Sequence, residues 1–305
     1  MVSKLKTKQR KVVILTGASS GIGRATAVKL VKSGYQVFGL ARRYDHAISE
    51  LYSPSDPLSI AYKEELFIPI QFNIARPELF GKTVSDIILK AKDNTIFGLV
   101  NNAGYVEPGA VEDITMNNLR EQFETNFFGH VGFTKAVLPI MLKGSRTGAT
   151  LGPRIVNVSS IAGLISLPLI GAYSATKHAL EAISSSLRME LWNTNIKIIT
   201  INPGVIETDI YDILKAKVDA MLTEKNNNNI ESRFVAAYKK YFAKKKYSGL
   251  KASVVADVIY EALSSSNPKH RYIIGSAKEK LAIKLRPIIP DSLFHSIVAR
   301  QIHRI

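Results

Sequence analysis

The sequence of 305 residues contains no cysteine. Disulfides, thiolate nucleophiles and Cys-based zinc sites are therefore excluded. The redox compartment stays open, because a cysteine-free chain tolerates any. No apolar run reaches the roughly 18 residues that a membrane-spanning helix needs. The first ten residues, "MVSKLKTKQR", are basic but lack the apolar stretch of a signal peptide. Acidic residues are scarce: 25 Asp plus Glu stand against 41 Lys plus Arg, a net charge of +16. Such an excess attracts polyanions. No helix-turn-helix, zinc-finger or RNA-stacking signature accompanies it, so nucleic acid is not an expected partner. The expectation is a soluble cytoplasmic protein with no metal. What the chain has in plenty is apolar residues, 46% of the total. That is enough to bury a large core without staples.

The apolar residues come in alternating short and long blocks. Short β-branched runs at 11–16, 36–41, 67–72, 96–104, 154–160, 196–204 and 271–274 read as strands. Between them, amphipathic stretches at 23–34, 116–143 and 172–191 read as helices. Pro69 is a mild objection to the third strand. Strands alternating with helices imply βαβ units. The expected architecture is α/β: a doubly wound, mostly parallel sheet of about seven strands flanked by helices, in one domain spanning 1–305. Three stretches are less regular. Residues 43–66 lengthen the link between strands two and three, 144–153 form a Gly-rich loop, and the Lys-rich 209–250 read as a helical lid.

"TGASSGIG" (16–23) lies at the junction of the first strand and first helix. Gly17, Gly21 and Gly23 remove side chains where a diphosphate would approach backbone N–H groups at a helix N-terminus, with Ser19, Ser20 and Ile22 in the same turn. The end of the second strand is where dinucleotide sites discriminate the adenosine ribose. An acidic residue there would accept from a free 2′-hydroxyl, but this chain has "LARRYD". Arg42 and Arg43 suit a 2′-phosphate through forked, charge-assisted hydrogen bonds, so NADP(H) is the expected cofactor. After the fourth strand, Asn102, Ala103 and Gly104 of "NNAG" can shelve the adenine ribose.

"GAYSATKHAL" (171–180) places Tyr173 and Lys177 four apart, on one face of a helix. A phenol titrates near ~10 on its own. A cation beside it favours phenolate and would make it a usable acid and base near neutral pH. A surface pair at helical spacing is the alternative on these residues alone.

Taken together these motifs resemble the short-chain dehydrogenase/reductase family. The resemblance rests on TGASSGIG at 16–23, NNAG at 101–104, Asn126 in "NFFG", Ser160 in "VNVSS", Tyr173 and Lys177 as Y-x-x-x-K, and "NPGVIET" at 202–208, in the family's order. It implies Tyr173 as the general acid in carbonyl reduction or the base in alcohol oxidation. Lys177 would lower the tyrosine pKa and hold the nicotinamide ribose. Ser160 would orient the substrate oxygen, and Asn126 would hold a water linking Lys177 to solvent. Val205 and Ile206, after Pro203 and Gly204, would meet the carboxamide end of the nicotinamide, and Thr208 the diphosphate or carboxamide side. Asn73, beside Ile74, falls where the family usually has an Asp for the adenine amine; its amide oxygen can accept the same bond.

The resemblance further implies a homodimer or homotetramer and, through "RRYD" and the long C-terminal region, the hydroxysteroid and retinol dehydrogenase branch. The apolar "IAGLISLPLI" after Ser160, with Tyr105 and Val106, would border an apolar carbonyl or alcohol substrate. Two rival readings are reduction of an acyl-carrier-linked ketone, and a non-catalytic NADP(H)-binding or membrane-associated protein. The tail, 276–305, is expected to form two short helices split by Pro287 and Pro290. As a basic amphipathic element it would lie on an anionic membrane, or cap the cleft or a partner subunit.

Overall fold

The computed structural model describes residues 10–44, 46, 48–92, 95–145, 151–208, 216–217 and 249–303. Most of the expected lid, 209–250, lies outside the described residues, as do 146–150 of the glycine-rich 144–153 loop and residues 304–305. Seven strands form one parallel sheet. They are β1 (Lys11–Thr16), β2 (Gln36–Ala41), β3 (Phe67–Gln71), β4 (Thr95–Asn101), β5 (Arg154–Val158), β6 (Lys197–Pro203) and β9 (Arg271–Ile274). Their order across the sheet is β3-β2-β1-β4-β5-β6-β9. A separate two-residue pairing joins β7 (Ile206–Glu207) to β8 (Leu250–Lys251). The order reverses between β1 and β4, which opens a crevice at the carboxyl ends of these two strands. β3 is an edge strand, and its Pro69 is tolerated there because only one side of the strand is paired.

Alternation along each strand divides the core in two. Val13 and Leu15 face one side, with α1 (Gly21–Lys32), α3 (Pro57–Lys63) and α8 (Ala252–Ser264) packed over them. Val12 and Ile14 face the other, under α4 (Phe80–Ala91), α6 (Gly129–Ser145) and α7 (Gly171–Glu190). Sheets covered on both faces need strands that are apolar throughout, and β2 is buried at every position.

The long link 43–66 is more regular than expected: it holds α2 (Ile48–Leu51) and α3. Helix α3 starts at Asp56, whose carboxylate accepts from Leu58 N at 2.9 Å with Pro57 just inside the helix. The single helix expected over 116–143 is interrupted. α5 (Met116–Phe123) gives way to a π-helical turn at Glu124–Phe128 before α6 begins. The tail forms α9 (Ala277–Leu285) and α10 (Asp291–His303), split at the two prolines as expected.

Candidate active site

The glycine turn is built by what glycine lacks. Gly17 has φ +69°, and a Cβ there would stand 2.8 Å from Ala103 Cα. A Cβ on Gly23 would stand 2.0 Å from Gly17 O. The turn is closed by Leu40, whose carbonyl accepts from Gly17 N at 2.8 Å and Ala18 N at 3.2 Å. Ser20 occupies the N-cap of α1 but makes no side-chain cap. The first N–H groups of this twelve-residue helix are thus left to another acceptor. Anionic oxygens suit such a site, so these residues fit a diphosphate. Ser19 is partly exposed beside it, while Ile22 packs its side chain on the core and offers only backbone. Thr208 lies over the same turn: a Cβ on Gly21 would come 3.3 Å from its methyl carbon.

The NNAG segment is tied to this turn across 86 residues. Thr16 Oγ1 accepts from Asn102 N at 3.0 Å and from Ala103 N at 3.1 Å. Asn102 Nδ2 donates back to Thr16 O at 3.0 Å. Thr16 was not among the expected site residues, although it begins the quoted motif. Arg42 and Arg43 are exposed just past the end of β2. Asn73 follows β3, and its Oδ1 accepts from Ala75 N at 3.1 Å. Ile74 is buried in the core, so only its backbone can face a ligand.

Tyr173, Lys177 and Glu181 recur every fourth residue along α7, one face of the helix. Lys177 is buried, and its Nζ donates to Val158 O at 2.9 Å. The ammonium lies 5.7 Å from the centre of the Tyr173 ring. Burial pulls the Lys177 pKa down to about 8, while the Glu181 carboxylate opposes the fall. Burial pushes the Tyr173 phenol up, and a hydrogen bond with Ser160 pulls it down. The sequence suggests Lys177 as the group that favours phenolate; here the lowering contact comes from Ser160. Ser160 Oγ also accepts from Ala162 N at 3.1 Å and lies 3.4 Å from Pro203 O.

Asn126 sits in the π-helical turn, fully buried. Such turns add a residue to the helical circuit and re-aim a side chain. Here the Asn126 amide clamps the backbone of Tyr105: Oδ1 accepts from Tyr105 N at 3.1 Å and Nδ2 donates to Tyr105 O at 2.9 Å. A Cβ on Gly104 would come 3.1 Å from Asn126 Oδ1 and 3.8 Å from Lys177 Nζ. The NNAG loop therefore meets Asn126 and Lys177 directly.

Two further groups escaped the sequence. His130 is buried with Nε2 2.6 Å from Ala103 O. A carbonyl only accepts, so Nε2 carries the hydrogen. Burial, reinforced by Lys177, lowers the His130 pKa to about 3 and keeps the ring neutral. Asn202 Nδ2 donates to Ser160 O at 2.9 Å and to Glu181 Oε1 at 2.7 Å, and Arg271 holds the other Glu181 oxygen at 2.6 Å. This network fixes Ser160 relative to α7.

On the substrate side, Ile161, Leu164 and Ile165 are only partly buried and belong to neither core cluster. Val111 is 83% exposed, and its methyl lies 3.5 Å from where a Gly171 Cβ would stand, two residues from Tyr173. Pro203 and Ile206 are buried. Gly204 and Val205 are half-buried on the rim between β6 and the start of α9.

A parallel sheet with its switch point between β1 and β4, a glycine turn there and a Ser–Tyr–Lys cluster facing it define a nucleotide-binding oxidoreductase. The model of the short chain dehydrogenase family matches residues 11–219, and the chain belongs to that family. It is 34% identical over 302 residues to the uncharacterized oxidoreductase YusZ of Bacillus subtilis, covering 96% of this chain and 99% of that one. It is 29% identical to the NADPH-dependent 3-dehydrocapnine reductase of Ornithobacterium rhinotracheale, covering 97% and 98%. A crystal structure of a short-chain dehydrogenase from Streptomyces avermitilis superposes with a TM-score of 0.72 at 28% identity, covering 96% of each chain.

Proposed function

We propose that this chain is an NADP(H)-dependent oxidoreductase that interconverts a carbonyl and an alcohol on an apolar substrate, with Tyr173 as general acid and base. The observation that carries the reading is the meeting of the Ser160 hydroxyl, the Tyr173 phenol and the buried Lys177 ammonium beside the NNAG loop. A bound nicotinamide dinucleotide would supply or take up a hydride at the substrate carbon. In reduction, Tyr173 gives its proton to the substrate oxygen. Ser160 holds that oxygen in line. A phenol raised by burial is protonated at neutral pH, the form a donor requires. Lys177, with a pKa of about 8, gains and loses a proton at small cost near working pH and can replenish the phenol. In oxidation each transfer reverses.

The exposed Arg42 and Arg43 support NADP(H), since two guanidiniums match a 2′-phosphate. The named NADPH dependence of the Ornithobacterium relative points the same way. The half-buried Leu164 and Ile165 favour an apolar substrate. We infer that 1–305 works as one catalytic domain and that the protein is a homo-oligomer; Ile183 and Met189 on α7 and Trp192 just past its end are apolar side chains left exposed. Membrane contact is the second reading for the tail. Opposite Glu279 on α9, Leu281 and Leu285 are exposed between Lys278 on one side and Lys280 and Lys284 on the other, as in helices that lie on anionic surfaces. Co-sedimentation with anionic vesicles at low salt tests it.

The test of the main reading is a panel of ketones, aldehydes and alcohols assayed with both cofactors. Reduction of long-chain or polycyclic ketones with NADPH is expected. Replacing both Arg42 and Arg43 by Ala should cut the NADPH-over-NADH preference by at least about tenfold, because charge-assisted bonds are lost. A wild type that prefers NADH contradicts the cofactor assignment.

A further inference from the structure

The loop expected to meet the nicotinamide, 204–208, is held by groups far away in sequence. Gly204 N donates to Ile274 O at 2.7 Å, and Val205 O accepts from Leu250 N at 3.0 Å. The third restraint comes from the tail. Val205 N donates to Glu279 Oε1 at 3.3 Å, across 74 residues.

Glu279 also has a local duty. Its Oε2 accepts from Ser276 N at 2.7 Å and from Ser276 Oγ at 2.8 Å, while Ser276 Oγ accepts from Glu279 N at 3.3 Å. That is a complete capping box at the start of α9. The box uses only one carboxylate oxygen, so the other is free for the loop. Two glycines make room for it. A Cβ on Gly204 would stand 2.7 Å from Oε1, and one on Gly275 2.9 Å from Oε2. Neither glycine has a positive φ, so what they provide is space for the carboxylate. Helix α9 buries none of its residues. Apolar packing therefore gives it little, and the carboxylate is what anchors its first turn to the sheet edge.

We propose that Glu279 is a positioning residue for the cofactor loop: by holding the Val205 amide it fixes the backbone of 204–208 and makes the C-terminal extension part of the nicotinamide site. The proposal rests on the nicotinamide-dependent reading above. Two measurements on the full-length protein test it together: hydrogen exchange of the Val205 amide without cofactor, and direct titration with NADPH. Glu279→Ala should speed exchange at Val205 and weaken NADPH binding, each by about tenfold, the scale of one lost charge-assisted bond. Glu279→Gln keeps an acceptor for Val205 and should recover most of both. Ser276→Ala breaks the box but leaves Oε1 in place, and should change each by less than about twofold. Wild-type exchange at Val205 in Glu279→Ala overturns the proposal. So does an equal effect of Ser276→Ala, which would assign the change to helix stability. A wild type that binds no nicotinamide dinucleotide strikes the functional reading instead, and the exchange measurement still decides the role of Glu279.

Discussion

Helices α7 and α9 both contribute to the carboxyl edge of the sheet, and they do it in opposite ways. α7 buries Ser174, Thr176, Lys177, Glu181 and Ser184, polar groups drawn into the protein at a cost. Four of the five are offset by cross-links: Thr176 to Asn126 at 3.4 Å, Lys177 to Val158, Glu181 to Asn202 and Arg271, and Ser184 to Asn157 at 2.7 Å; the Ser174 hydroxyl has no partner among the described residues. α9 buries nothing and touches the site through one carboxylate. A buried polar face cross-linked to the sheet at several points has few arrangements available to it. An exposed helix hung from a single side chain can vary in sequence and still deliver that one group.

The most severe perturbation is removal of the buried cation. Lys177→Met should lower turnover by at least about 10²-fold, the lower end of what general acid–base chemistry contributes. It should also stabilise the fold. The fall from the ordinary 10.5 to about 8 corresponds to about 3 kcal/mol of disfavoured charge, less about 1 kcal/mol for the lost bond to Val158. The folded protein binds this proton less readily than the unfolded chain. The penalty is therefore complete below pH 8 and fades as pH rises to about 10.5. Denaturant melts should show the variant more stable than wild type at pH 7, with the gap closing by pH 10.5. A variant less stable at pH 7 contradicts the assignment.

His130 sharpens the same contrast from the acid side. It is neutral in the fold and protonates in the unfolded chain below about 6.5, so stability should fall as pH drops from 6.5 towards 3. By pH 3 the difference reaches on the order of 4 kcal/mol. His130→Gln should flatten that part of the stability profile. An unchanged acid slope would show that other groups carry it.

Much of this contrast is readable in the sequence, and what is not has a common cause. The bounds of β1, β2 and β9 follow from β-branched runs closed by glycine or polar residues. The glycine turn and the Tyr173–Lys177 spacing are local patterns, visible in ten residues. The π-helical turn at Asn126 carries no proline or other breaker to announce it. Thr16 to Asn102, Glu181 to Arg271 and Glu279 to Val205 are contacts between segments 74 to 90 residues apart. Only the closed sheet brings them together. The buried state of Lys177 belongs to the same class: spacing puts it on a face, and only packing decides that the face is dry.

The smallest expected effect comes from the other side of the comparison. Leu30→Ala in α1, fully buried, should cost about 2–5 kcal/mol. Leu281→Ser and Leu285→Ser in α9, 55% and 39% exposed, should each change stability by less than about 0.5 kcal/mol. A large loss from either tail variant in dilute solution would reveal a covering partner such as a second copy of the chain.

Proton transfer by Tyr173 is tested by single-turnover reduction of a responsive ketone by pre-bound NADPH, comparing wild type with Tyr173→Phe and titrating NADPH into both. Phe keeps the ring and removes only the hydroxyl, so cofactor affinity should stay within about twofold while the reduction step slows by at least about 10²-fold. A Phe variant that binds NADPH normally and reduces the ketone at a rate near wild type would contradict the account.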